Sequence, residues 1–556
     1  MAEHHPTGTA VDGPPAANQH TPEAATKRSP RRGGADGQRP RRRTVWLAAA
    51  AGAGTAILAG AVVAGSALVP ALTAGGAASL EPVVLPVGQS VASCAGPTQL
   101  LSGADVGSDP QFSAASANSA SNVSALLLGS ESGAFGAAVL SSLDGAANAA
   151  TVSTQSTSST NGGQGAKSAG PVAVDAPSVL RADPVDGVRA PAAAIVASKN
   201  DDGDLRGLAA APCQTPSNDL WIAGASTTVG RTAVLNIANA SQTAATVNLD
   251  LFGAAGPVQA PGARGLLVPA GTTRAIVLAG LAAGEEGLSV HLKSTGGPVT
   301  AVVQQSVLRG LTPGGVDFLS PVNVPAQRQV VAGVRLPDTG LAARISAQNG
   351  YADAAPSLQV TVPGTKDAVV QVKVLGSGGQ QALPNGGVFT ARAGAVTALA
   401  LSGLPGGDYA LDISADTAFT ATAKVSVGAK EGEPVDLSYA PAAARLGDGQ
   451  LVVLPRGIDS KLSFAAPTGA AKITLTPVAT GGALLAAKTV QVDGGRSVTV
   501  DPSQLVDGAE IAGFVLSATG DAVYGAQLLA SGTMASVASV PRAGSSAQTL
   551  KVVLGY

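Results

Sequence analysis

Charge, aromatic rings, histidine and cysteine are all scarce in this 556-residue chain. Charged residues make up 13% and aromatics 3% of it. Scarce charge does not by itself mean disorder, because chains stay unfolded when high net charge is joined to low hydropathy. Here the mean hydropathy is +0.27, enough to build cores from Val, Leu, Ile and Ala. With so few rings there is no stripe of aromatic faces, and Tyr351, Tyr409, Tyr439 and Tyr524 are scattered. Trp221, in LWIAG, reads as a core or interdomain packing residue rather than a sugar platform. Three of the four histidines, His4, His5 and His20, fall in a polar N-terminal stretch and read as a solvated tail. The remaining one, His291, alternates with Val290 and Leu292 and reads as a surface-facing strand position. A Ser-His-Asp triad beyond the N-terminal region would have to use His291, and no G-x-S-x-G elbow supplies its nucleophile. One histidine and two distant cysteines cannot form the short-spaced cluster that zinc sites need. P-loop and dinucleotide fingerprints are missing, and no pair of carboxylates stands in a distinctive setting. The reading is therefore no enzyme, no catalytic residue, no metal and no cofactor.

Charge is also absent from one long run. Nothing is charged between Arg43 and Glu81, and Val45–Leu72 is mostly apolar. A bilayer-crossing helix needs roughly 20 such residues. Arg39, Arg41, Arg42 and Arg43 precede the run, and Trp46 stands at its edge. Basic residues flank the cytoplasmic side of a span, and indoles favour the interface. A cleavable signal would have an apolar region of about 7–15 residues. This run is longer, which favours an uncleaved anchor. Residues 1–43 read as a disordered basic tail that meets membrane lipid. Residues 1–80 carry eight Lys/Arg against four Asp/Glu, and the rest carries 26 against 32. The large acidic portion excludes nucleic acid as its partner, because it offers phosphates no basic field. These features place the chain in the cell membrane as a single-pass protein with its C-terminal portion extracytoplasmic. Cys94 and Cys213 both lie beyond the run, and an even pair in an exported region implies a disulfide between them.

The exported portion reads as β throughout, and it repeats. VNLDLFGAAG at Val247–Gly256, VQVKVLGSGG in Val370–Gly379 and ITLTPVATGG at Ile473–Gly482 are alternating strands ending in small-residue turns. Each is followed by a pair of strands about a glycine. Each then continues into two apolar stretches about a polar turn, at Gly296-Gly297, Ala415-Asp416 and Gly520-Asp521. A period of about 100–120 residues with many short strands has the arithmetic of a two-sheet sandwich. The predicted architecture is a tandem array of immunoglobulin-like sandwiches at 219–324, 330–439 and 449–556. A divergent, disulfide-bonded β module at 81–218 precedes them, with a flexible low-complexity insertion at 146–170. Asn200-Asp201-Asp202-Gly203 reads as a hairpin turn rather than a calcium loop. A β-propeller is the competing architecture, although its blades would recur about every 40–50 residues. Short linkers at Pro321–Gln327 and Ala440–Gly447 suggest a rod or a bent array.

Gly203–Gly253, GDLRGLAAAPCQTPSNDLWIAGASTTVGRTAVLNIANASQTAATVNLDLFG, carries a resemblance. It resembles the diagnostic segment of an actinobacterial domain-of-unknown-function family, matching it at Cys213, Trp221 and Asn236. The resemblance implies a membrane-anchored exported protein, often encoded near an envelope glycosyltransferase, and it carries over no active site. The functional expectation is a non-catalytic cell-envelope binding or scaffold protein with an envelope protein or polysaccharide as partner. The alternative is an envelope hydrolase or transferase using carboxylates of unrecognised setting.

Overall fold

A computed structural model describes residues 83–84, 87–101, 115–155, 163–384, 386–506, 508–542 and 549–550. The predicted tail, the run Val45–Leu72, Arg39, Arg41, Arg42, Arg43 and Trp46 lie outside the described residues. Among those described, no helix is long and apolar enough to cross a membrane.

The alternation read in the sequence is what builds the sheets. In Ala245–Gly253, Val247, Leu249 and Leu251 are buried while Thr246, Asn248 and Asp250 are not. Ala368–Gly376 and Ala471–Ala479 repeat the pattern. Successive strand residues face opposite sides, so one row enters a core and the other faces away. The one α-helix among the described residues, Thr339–Ser346, is capped by Asp338, whose carboxylate accepts from the Leu341 N–H at 3.0 Å.

The same topology occurs four times. In the first module one sheet runs Ser90–Cys94, Ser178–Ala182, Ala138–Ser142, Asn148–Ser153. The other runs Ala166–Ala173, Ser119–Leu128, Ala192–Asn200, Gly207–Pro212. Numbered within the module, the orders are 1-6-3-4 and 5-2-7-8. Strands Gln450–Ser539 repeat these orders, as do Asp219–Leu319 once a split fourth strand is counted as one, and Ala326–Pro441 once the long strand Gly407–Val427 is in addition counted as both sixth and seventh. Strands one and two lie in opposite sheets. In the immunoglobulin order they are neighbours in one sheet, so that part of the expectation is corrected. No propeller is formed among the described residues: each repeat is a pair of sheets around its own core, not one four-stranded blade.

Two local expectations also change. The Ala415-Asp416 turn does not form, and Gly407–Val427 is one 21-residue strand that passes from one sheet of the third module to the other. Gly296 and Gly520 take positive φ at the corresponding turns, whereas Ala415 and Asp416 have no such freedom. The tract 146–170, expected to be flexible, contains the strand Asn148–Ser153 and the start of Ala166–Ala173. The hairpin at Asn200–Gly203 forms as read, with Asn200 paired to Gly207. Cys94 and Cys213 are joined by a disulfide that ties the two sheets of the first module together at one end.

The four modules do not run in series as a rod. They belong to one compact unit and close into a ring. Leu126, Ile195 and Leu208 of the first pack on Leu451, Val453 and Leu529 of the fourth. Val302 and Phe318 of the second join the first module's core beside Leu127 and Ala211. Trp221 and Phe252 of the second join the third module's core, as do Ala526, Leu528 and Val537 of the fourth. Inner sheets are therefore buried on both faces, which the wealth of Ala and Gly permits by keeping their outer surfaces shallow.

At the centre lie the last strands of the four modules: Gly207–Pro212, Thr312–Leu319, Asp436–Pro441 and Met534–Ser539. Each is a sheet edge and carries N–H groups with no strand to pair with. Buried backbone donors need partners, and here one side chain serves all four edges. Asp436 accepts from the N–H groups of Leu208, Val316, Leu437 and Ala535, at 3.0, 3.2, 2.9 and 3.0 Å. A second level is built on Asp317, which accepts from the N–H groups of Phe318 and Tyr439 and from the Ser536 hydroxyl. The Ala210 N–H donates in turn to Ser536. The hub has room for the Asp436 carboxylate only because Gly207 and Gly315 face it. A Cβ on either would stand 2.5 Å from its Oδ1.

Candidate functional site

The second module presents two surfaces worth building in detail. The first is the outer face of its sheet Asp219–Ala225, Leu288–Gly296, Ala245–Gly253. Register pairs Trp221 with His291 and Asp250 with His291, so all three share a face. His291 is only 8% exposed, which corrects its reading as a surface position. Its ring stacks on Trp221, 3.9 Å between centroids, and Trp221 stacks on Phe252. His291 Nε2 lies 3.1 Å from Asp219 Oδ1, and Nδ1 lies 3.7 Å from Asp250 Oδ2. Burial pushes the imidazole pKa down, opposed by the hydrogen bond the ring makes to the Asp219 carboxylate. Trp221 has a packing role, as read from the sequence, and it packs between the second and third modules. Packing covers the Trp221 end of this face, and His291 is stacked against that end.

The second surface is the seam between the first and second modules, where three cavities of about 590, 690 and 740 Å³ open. One borders the disulfide and Asn236. Another borders Arg181, whose Nη2 crosses the seam to the Ala240 carbonyl at 2.9 Å. Gln304 partitions the seam: its side chain both accepts from the Gln99 N–H and donates to the Gln99 carbonyl.

The largest cavity also reaches the third module, and it holds the densest chemistry. Arg231 and Arg309 line it, with Tyr351 and Asp204. Arg231 begins the strand Arg231–Ala238, and Arg309 ends its antiparallel neighbour Thr300–Arg309. That register brings the two guanidiniums to the same end of one sheet. Both pair with Asp353, which sits in a 3-10 turn after the helix. Arg309 donates through Nη2 to both Asp353 oxygens at 3.0 Å, donates through Nε to the Gly350 carbonyl and lies over the Tyr351 ring at 4.4 Å. Lys424 joins from the third module, its Nζ donating to the Asp353 carbonyl at 2.6 Å. Burial raises the Asp353 pKa, but Arg309, Arg231 and Lys424 together hold the carboxylate below its ordinary range. Burial lowers the Lys424 pKa and raises that of Asp204.

Against this geometry, a family model described as a family of unknown function (DUF5719) matches residues 168–503. The chain belongs to that family. The matched span holds Cys213, both hub aspartates, His291 and the Arg231–Arg309–Asp353 cluster, while Cys94 and Ser536 lie outside it. No curated protein and no solved structure matches the chain.

Of the residues singled out from sequence, Cys94 and Cys213 meet, and Trp221 meets His291. Sequence reading missed Asp317 and Asp436, although each stands between apolar neighbours inside a strand-forming stretch, as Val316-Asp317-Phe318 and Val435-Asp436-Leu437. It also missed Arg231, Arg309 and Asp353, whose meeting depends on strand register across two modules.

Proposed function

We propose that this is a membrane-anchored, extracytoplasmic binding or scaffold protein of the cell envelope, non-catalytic, with an envelope protein or polysaccharide as partner. The supporting observation is the closed hub, which fixes four modules as one body and leaves binding-sized cavities along a module seam. Among the described residues both cysteines form the disulfide, and His291 is stacked and carboxylate-bound. The cavity walls carry cations, amides and aliphatic side chains, a mixture typical of ligand sites. The anchor part of the proposal rests on the uncharged run and its arginine flank.

Protease added to spheroplasts should digest the tagged C-terminal portion and spare a tag at the N-terminus. A mature chain beginning near Ser79 would replace the anchor by a cleaved signal. Crosslinking in intact envelope should then recover a polysaccharide or protein with the full chain. Turnover of envelope glycan by the purified chain, abolished by replacing a carboxylate, would favour the alternative of a hydrolase or transferase.

A further inference from the structure

We propose that the cavity of about 740 Å³ where the first three modules meet binds an oxyanion, carboxylate or phosphate, carried on a small apolar group. This goes beyond the scaffold reading and does not depend on the protein's topology.

Charge favours an anion. Arg231, Arg309 and Lys424 converge on Asp353, and although Glu286 also acts on Lys424, the two guanidiniums share one carboxylate. The side chain of Arg309 is only 6% exposed, yet its Nη1 has no hydrogen-bond partner. Lys424 is part-buried and its Nζ donates to a backbone carbonyl, not to a carboxylate. Such buried positive charge is under-compensated, and an entering oxyanion would relieve it through charge-assisted contacts. Arg231, Arg309 and Asp204 are the charged groups on the cavity wall, so the cations there outnumber the anions. Burial also raises the Asp204 pKa, which weakens its opposition.

The mouth of the cavity favours an apolar group. Val229 is 94% exposed and lines the cavity, and Leu311, 77% exposed, stands between the lining residues Gly310 and Thr312. Leu101, also exposed, lines it from the first module. Three exposed aliphatic side chains beside two arginines suit a ligand with a charged head and an apolar body. The volume falls within the range of small-molecule sites, roughly 300–1,000 Å³.

The test is calorimetric titration of the full chain, held in a neutral detergent, with phenyl phosphate, benzoate, inorganic phosphate and benzyl alcohol. Phenyl phosphate or benzoate should bind saturably, and the tighter of them identifies the head group. Benzyl alcohol should bind at least about tenfold more weakly, a difference of about 1.4 kcal/mol. Inorganic phosphate should also bind more weakly, because it lacks the apolar group. Arg231→Gln should weaken the better anion by about tenfold or more, the scale of a lost charge-assisted contact. Leu311→Ser should weaken phenyl phosphate without moving the melting temperature, which keeps the test decisive if Arg231→Gln fails to fold. Arg264→Gln, remote from the cavity, should change nothing. Equal binding of benzyl alcohol and the anions would overturn the proposal. So would the lack of any saturable anion binding tighter than about 10 mM, or parent-like binding by both cavity variants.

Discussion

Replacing Asp436 by alanine should cost roughly 4 kcal/mol or more of unfolding free energy, because four buried N–H donors lose their acceptor at once and each unsatisfied group costs about 1–3 kcal/mol. Whole domains are stable by only about 5–15 kcal/mol, so the variant should unfold at far lower guanidinium concentration. Asp436→Asn should fall between the two, since its amide keeps one accepting oxygen but turns an NH₂ toward two of the donors. The carboxyl also links the hub to pH. Burial pushes its pKa up to about 7, against four N–H donors that pull it down. Unfolded, it titrates near 3.9. Between about pH 4 and 7 the native chain therefore holds a proton that the unfolded chain has released. This contribution to stability is complete below about pH 4, falls as pH rises toward 7 and is flat above it. Asp317 is shifted in the same direction by the same burial. Denaturation midpoints across this range should slope downward in the parent and less steeply in Asp436→Asn. An Asp436→Ala chain within about 1 kcal/mol of the parent would show that the edge strands satisfy their donors without this carboxylate.

The parts that were legible in the sequence are those written in local alternation. Val247, Leu249 and Leu251 announce an inward row, and the recurrence of that strand near Val370 and Ile473 announces repeated modules. The membership suggested by Gly203–Gly253 also holds, since that segment lies inside the matched family span. The ring was not legible, because its contacts use the second face of strands whose first face is already accounted for. Gly207–Pro212 is GLAAAP and Met534–Ser539 is MASVAS, sequences too bland to announce four-way packing. His291 shows the same failure. Its alternation with Val290 and Leu292 correctly placed it on the outer face, but that face is covered by stacking on Trp221. The long strand Gly407–Val427 was misread for a subtler reason. Repeat logic demanded a turn at Ala415-Asp416, while the missing glycine there was the better guide. In the candidate site, Arg231 and Arg309 lie 78 residues apart and Asp353 lies 44 further on. Only the pairing of Arg231 with Val307 and the seating of the third module bring them together.

Deleting Asp219–Tyr439 should do more than remove a partner-binding surface. It should prevent the remaining halves from reaching a native-like state. In a rod, the first and fourth modules would keep their own cores and melt as before. In the ring, the deletion takes away both hub carboxylates and leaves the N–H groups of Leu208 and Ala535 at edges built to face Asp436. It also uncovers Leu205, Ala209 and Ala211 of the first module, which share a cluster with Val302, Val316 and Phe318. In the fourth module it uncovers Ala526, Leu528 and Val537, which pack into the third. Apolar surface and unpaired strand edges exposed together favour aggregation. The first and fourth modules could still meet through Leu126, Ile195, Leu451 and Leu529, so the expected product is an associating half-ring rather than a fully unfolded chain. Size-exclusion chromatography and hydrogen exchange decide between the two. The deleted chain should elute as large species, and the Leu208 and Ala535 amides, which donate to Asp436 in the parent, should exchange rapidly. A monodisperse product with parent-like protection at those amides would mean that the modules are independent and that the hub joins them without stabilising them.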